Sequence, residues 1–261
     1  MAVIISICLQ KGGCGKSSTA QALASIIGDK GKKVLLIDSD SQGNTTFASG
    51  AKPDEYLSNV LNRIDKGKEP NTDKAICKCE RYDLIGGDEY LAIFEHKQIK
   101  HTLLKDAIKS IKNDYDYIFI DTPPNLGNLL KNALLTSDYI IIPTDARPLS
   151  IVGLDALGET VQAIQSVNRS LKILGIVLVK YHSRSILNRQ MKELLEEKAK
   201  NLETKVFDAT VREGIAVPES QAMRMDLVAY DPKSKPCLDY LALAEEVLER
   251  LGDGKDKEEG L

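Results

Sequence analysis

Val3-Ile4-Ile5-Ser6-Ile7-Cys8-Leu9-Gln10-Lys11-Gly12-Gly13-Cys14-Gly15-Lys16-Ser17-Ser18-Thr19 reads as three local structures in succession. Val3 to Leu9 is almost continuously apolar, too continuous for a strand with one wet face, and fits a strand buried on both faces of a parallel sheet. The glycines that follow allow a tight turn whose backbone N–H groups converge on an anion. From Thr19 to Ile27 a helix is expected, because Ala20, Leu23, Ala24 and Ile27 fall at i, i+3, i+4 and i+7. Strand, glycine-rich turn and helix in this order set the positive end of a helix dipole beside the turn, which suits phosphate.

The same alternation continues along the chain. Val34–Ile37, Tyr117–Ile120, Tyr139–Ile142 and Ile173–Val179 repeat the short buried-strand pattern, while Leu154–Val167 and Ile186–Leu202 repeat the helical one. The spacing leaves room for crossover helices, so the expected architecture is α/β: a doubly wound, mostly parallel sheet with helices on both faces. Ligands of such sheets sit at the carboxyl ends of the strands. Gly50 to Glu80, richer in Pro, Asp, Asn and Lys, reads as a peripheral excursion with one helix at Tyr56–Ile64. A last helix from Leu238 to Leu251 is expected to pack through Leu241, Ala244, Leu248 and Leu251.

Composition narrows the function classes. In 261 residues, 43% are hydrophobic, 28% are charged and the net charge is −3, so a chain-wide attraction for nucleic acid is excluded and any DNA binding needs a local patch. Five cysteines, an odd number, do not suggest a disulfide framework, and a reducing cytoplasm is expected. Cys77-Lys78-Cys79 lacks a second pair at zinc spacing, and His96 and His101 read as exposed. No apolar run approaches the roughly 20 residues of a membrane span.

The chemistry concentrates in the first turn and at two strand ends. Lys16 is expected to reach the β- and γ-phosphates of a nucleotide, and Ser17 to place its hydroxyl on Mg²⁺. The usual Gly-x4-Gly-Lys-Ser pattern is broken, because its first glycine is Gln10; what stands here is Lys-Gly-Gly-x-Gly-Lys-Ser. Val34 to Ile37 is followed by Asp38-Ser39-Asp40-Ser41-Gln42-Gly43-Asn44, and Tyr117 to Ile120 by Asp121-Thr122-Pro123-Pro124. Acids in these places serve phosphoryl transfer by holding a metal ion and orienting water.

Together these motifs resemble the ParA/MinD class of P-loop NTPase-like ATPases with a deviant Walker A loop, a likeness running from Val3 to about Arg250. The resemblance implies ATP and Mg²⁺ as cofactors and nucleotide contacts from Lys11, Gly12, Gly13, Cys14, Gly15, Lys16, Ser17 and Ser18. It implies that Lys11 crosses a homodimer to the partner's phosphates, that Asp38 and Asp121 join Ser17 around the metal, and that Asp40 activates water. Lys11, Lys16 and Asp40 are thus the expected catalytic residues. Ser41 replaces the family's proline, which removes a fixed φ from this loop.

By the same resemblance, residues 1–251 form a single ATPase domain, residues 252–261 form a charged flexible tail, and an N-terminal helix-turn-helix is not expected. The implied function is plasmid or chromosome partition in a nucleoid-associated, cytoplasmic setting. ATP-bound dimers would hold DNA without sequence preference, and a ParB-type partner would stimulate hydrolysis. Arg184 matches a DNA-binding arginine of the family; a second is replaced by Ala216, for which Arg212, Arg224 or Lys205 are candidate substitutes, and Arg147 stands where many relatives carry an acid. The alternative is a membrane-associated positioning ATPase of the MinD kind, which needs an amphipathic C-terminal helix that the tail lacks. A reductase or amidoligase of the same class is the remaining option, the former disfavoured because Cys237 is the only cysteine after Ile120.

Overall fold

The structure, a computed structural model, describes residues 1–253. Its first half runs β1 (Val3–Ile7), α1 (Lys16–Asp29), β2 (Val34–Asp38), α2 (Asn44–Ser49), α3 (Leu57–Asp65), β3 (Ile76–Lys78), β4 (Asp83–Ile85), α4 (Ala92–His96) and α5 (Leu103–Ile108). The second half runs β5 (Tyr117–Asp121), α6 (Asn128–Thr136), β6 (Tyr139–Thr144), α7 (Pro148–Gln165), β7 (Lys172–Leu178), α8 (Ile186–Asn201), α9 (Ala216–Ala222), α10 (Leu227–Tyr230) and α11 (Lys235–Leu251). The strands form one sheet in the order β3-β4-β2-β5-β1-β6-β7, all neighbours parallel except the edge pair β3 and β4. This is the expected doubly wound architecture.

Strand alternation divides the core between the two faces. Ile5, Ile7, Leu36, Phe119, Ile141 and Val177 pack with α1 and α11 on one side. Ile4, Leu35, Ile37, Ile118 and Ile120 face α3 and α5 on the other, and Ile140, Ile142, Ile176 and Leu178 face α7 and α8. Burial on both sides is why these strands read as unbroken apolar runs.

The region between Gly50 and Glu80 departs from the expected excursion: after α3 it returns to the sheet as β3, the antiparallel edge beside β4. The expected apolar stripe of the last helix is also displaced. Cys237, Tyr240, Leu243, Ala244 and Val247 face the core, whereas Leu241 is 38% exposed. The helix starts earlier than expected, at Lys235, with Ser234 Oγ accepting the Cys237 N–H at 3.4 Å. The segment expected to be a free tail begins at Gly252 with a left-handed helix cap, and Asp253 takes hydrogen bonds from Lys32 and the Tyr117 hydroxyl. The rest of that tail, residues 254–261, lies outside the described residues.

Register positions the site. Asp38 pairs with Asp121 across β2 and β5, and Asp121 pairs with Ile7 across β5 and β1. Two acidic strand ends and the loop leaving β1 therefore open onto one crevice at the carboxyl edge of the sheet.

Candidate active site

The loop between β1 and α1 depends on its glycines. Gly13 and Gly15 have φ of 71° and 82°, and a side chain on Gly15 would stand 3.2 Å from Val179 Cγ2. Lys16, only 7% exposed, begins α1 and donates from Nζ to the Lys11 carbonyl at 3.0 Å. The Cys14 thiol donates to the same carbonyl at 3.2 Å. Cys14 belongs to the core, and burial, only partly countered by the Lys16 charge, pushes its thiol up, so no reactive thiolate stands in the loop.

The three predicted acids come together but make different contacts. Asp38, wholly buried, accepts the Thr46 N–H at 2.8 Å and the Thr46 hydroxyl at 2.7 Å on one oxygen, and the Asp40 N–H at 3.2 Å on the other. It ties the start of α2 to the end of β2. Asp40 caps its own turn: Oδ1 accepts the Gln42 N–H at 3.0 Å and its carbonyl the Gly43 N–H at 3.0 Å. Those bonds constrain the turn at Ser41, where the family's proline is missing. Asp121 accepts from Thr45 Oγ1 at 2.7 Å on one oxygen, while its buried Oδ1 has no partner.

Burial raises both strand-end carboxyls. Asp38 is pushed up to about 7 by burial and then by the Asp121 charge. Asp121 is pushed up to about 6 by burial, against the Ser17 and Thr45 hydroxyls and the Lys16 charge. An unpartnered buried carboxylate oxygen beside the Ser17 hydroxyl is a hard, all-oxygen donor set of the kind Mg²⁺ takes. Among the described residues no three acids, histidines or cysteines form a self-sufficient metal cage.

Lys11 is turned inward to its own chain. Its Nζ lies 2.6 Å from Asp145 Oδ1 and 2.9 Å from Ser150 Oγ, at the start of α7. Burial opposes ionisation of Asp145, yet the Lys11 and Ser150 hydrogen bonds and the Lys11 and Arg147 charges hold its carboxyl below the usual range. Arg147, whose role was open in the sequence, stands 3.4 Å from the other Asp145 oxygen.

A cavity of about 1000 Å³ opens beside the loop, lined by Gly12, Gly13, Gly15 to Ser18 and Asp40. Its other wall comes from segments the motifs did not reveal, including Val179, Lys180, Val211, Ile215, Pro218 and Gln221. Gln221 donates to Ser18 Oγ at 2.9 Å, joining that wall to α1. One signal was available for Lys180 only after folding: a φ of 52° in a residue other than glycine.

The predicted DNA contact Arg184 is exposed, in the loop between β7 and α8, and does not line the cavity. Ala216 is buried in the core at 5% exposure, so its replacement of an arginine removes a charge from a now inward-facing position. Arg212 is engaged by Asp239 through two bonds of 2.7 and 2.8 Å, and Arg224 lies over the Phe47 ring at 4.5 Å. Neither is a free substitute; Lys205 is exposed. On α8, Lys192 pairs with Glu196 and Lys198 with Asp155 of α7, as a solvated helix face does.

A phosphate loop between a buried strand and a helix, with acids on adjacent strand ends, defines the P-loop ATPase class. Residues 2–173 match the family described as an AAA domain. Over 255 residues the chain is 34% identical to the sporulation initiation inhibitor protein Soj of Bacillus subtilis, covering 95% of this chain and 98% of Soj. A plasmid partition protein of Borrelia burgdorferi, solved with AMPPNP, is similar at 28% identity and a TM-score of 0.76, covering 96% of this chain and 98% of that one. Cobyrinic acid a,c-diamide synthase of Mycobacterium smegmatis, solved with ADP and magnesium, reaches a TM-score of 0.80 at 26% identity, covering 98% and 97%. The chain belongs to the ParA-type partition ATPases.

Proposed function

We propose that this protein is an Mg²⁺-dependent ATPase acting as a dimeric switch: ATP joins two copies, and the pair holds DNA without sequence preference. A ParB-type partner then stimulates hydrolysis and releases the DNA, moving a plasmid or chromosome within the cytoplasm. The observation that carries the reading is that Lys16, Ser17 and Asp40 line one cavity, with Asp121 buried behind it beside the Ser17 hydroxyl and the Lys16 charge, and the Lys11 carbonyl held by Lys16. Residues 1–251 form the ATPase domain in this reading.

Each residue has a task set by its chemistry. Gly12 to Ser18 present N–H groups to phosphate at the start of α1. Lys16 exchanges the Lys11 carbonyl for the β- and γ-phosphates. Ser17, Asp38 and Asp121 would hold the metal, and Asp38 also secures the loop that carries Asp40. Mg²⁺, when bound, would supply charge neutralisation on the phosphates and favour the ionised form of the neighbouring carboxyls, their protons passing to water. Asp40 orients the attacking water. Lys11 leaves Asp145 to meet the partner's nucleotide, which makes dimerisation part of site assembly.

The deciding measurement is DNA retention with and without ATP for wild type, Arg184→Ala and Asp40→Ala, alongside phosphate release. Wild type is expected to hold DNA only with ATP, Arg184→Ala to lose retention while dimerising, and Asp40→Ala to lose hydrolysis by about 100-fold or more and stay on DNA. ATP-independent retention, or Asp40→Ala hydrolysing at the wild-type rate, overturns the corresponding part. The likeness to an amide synthase supports a second reading, ATP-dependent amide formation. It is told apart by whether phosphate release needs an added carboxylic acid and amine donor or responds to DNA. Among the described residues no helix is long and apolar enough to cross a membrane. ATP-dependent co-sedimentation with liposomes would favour the MinD-like alternative.

A further inference from the structure

The end of β7 grips the phosphate loop at two points. Val179, 2% exposed, packs its Cγ2 against Gly15, and the next residue, Lys180, donates from Nζ to the Gly13 carbonyl at 3.0 Å. Lys180 does so with a left-handed backbone, φ 52°, which side chains rarely adopt. The flanking backbone bonds fix this conformation: the Val179 N–H donates to Thr144 at 2.9 Å and the Tyr181 N–H to Val211 at 3.0 Å. A lysine lacks the short polar side chain with which Asn or Asp satisfies such a turn locally, so a contact made elsewhere must favour the residue. The contact present is the one to the loop.

Its consequence follows from peptide geometry. In a trans peptide the carbonyl and the next N–H point opposite ways. An ammonium that holds the Gly13 carbonyl therefore also fixes the direction of the Cys14 N–H, which points opposite to that carbonyl. Lys16 occupies the Lys11 carbonyl and has to leave it to meet a nucleotide, whereas Lys180 reaches a different carbonyl from another strand. Its side chain also lines the cavity, adding a positive charge at the rim for an anionic ligand.

We infer that Lys180 is a positioning residue for nucleotide binding, holding the Gly13–Cys14 peptide in its phosphate-receiving orientation through the bond to the Gly13 carbonyl. The inference rests on the ATPase reading. The test titrates the full chain with ADP and measures steady-state hydrolysis of ATP for wild type, Lys180→Met, Lys180→Arg and Lys180→Gly. Lys180→Met keeps the stem and removes the amine. It should raise the ADP Kd and the KM for ATP about tenfold while kcat falls by less than about threefold, and Lys180→Arg should restore both within about threefold. Lys180→Gly relieves the backbone and also lacks the amine, so it should melt no lower than wild type yet bind as weakly as Lys180→Met. Wild-type affinity in Lys180→Met or Lys180→Gly, whatever the change in Tm, overturns the inference. Failure of the wild type itself to bind ATP or ADP removes the ATPase reading instead.

Discussion

Asp38 and Asp121 stand in register at the ends of β2 and β5, where two anions share one buried space. Their carboxyls rise from 3.8 to about 7 and about 6, burial being the first cause for both. Because both lie above their unfolded values, the folded chain keeps protons that the unfolded chain releases. Between about pH 4 and pH 7 this pair therefore subtracts stability as pH rises. The nucleotide-free protein is expected to be relieved by Asp121→Asn, which removes one charge and keeps an acceptor for Thr45. At pH 8 in EDTA the variant should melt higher, each kcal/mol being worth about 2–4 °C in a chain of this size, and the gain should vanish near pH 4. A lower Tm at pH 8 would mean that the charged pair is not a cost. The same substitution should abolish Mg²⁺-dependent hydrolysis, so the charge that costs stability is the one the proposed metal site needs.

At the scale of elements, α1 meets the strand system with no room to spare. Gly28, near its C-terminus, would carry a side chain 1.8 Å from the Arg81 carbonyl, an obstacle of backbone and not of a flexible side chain. Gly28→Ala is expected to cost about 1–3 kcal/mol, seen as a lowered Tm with ATP affinity intact at 25 °C. Such a contact was invisible in the sequence, where the expected helix runs only to Ile27 and Gly28 has no assigned role. The buried strands were legible because burial on both faces leaves an unbroken apolar signature. β3 and β4, three residues each, were not: Ile76-Cys77-Lys78 is too short to show a period and lies at an edge with one side chain exposed. The stripe of α11 was misread by assigning Leu241 inward, since Leu, Ala and Tyr recur closely enough to fit two faces. In the site, the phosphate loop and the strand-end acids were legible because each is a run of consecutive residues. Asp145 lies 134 residues from Lys11 and Lys180 lies 167 from Gly13; only the winding of the sheet brings these pairs together.

For the whole molecule, the net charge of −3 gives no global attraction for phosphate. The proposed DNA binding therefore needs a local face, which the proposed dimer doubles. Lys11 is held by Asp145 of its own chain, so in the proposed switch a second nucleotide has to compete for it, which links ATP, pairing and the doubled face. Arg184 and Arg189 are exposed on the segment that opens α8, where Arg184 has the backbone-binding role proposed above. Contacts to phosphate have a signature that contacts to bases lack: each displaces a counterion, and log Kd changes with log salt by about 0.9 per contact. In an ATP-bound dimer Arg184→Ala removes two side chains, so the slope should fall by about 2, equally for DNA of any sequence. The measurement is a salt titration of DNA affinity with a non-hydrolysed ATP analogue, which keeps both proteins dimeric throughout. A uniform loss of affinity with an unchanged slope would place Arg184 in holding the dimer's shape, and the phosphate contacts would have to be sought elsewhere on the molecule.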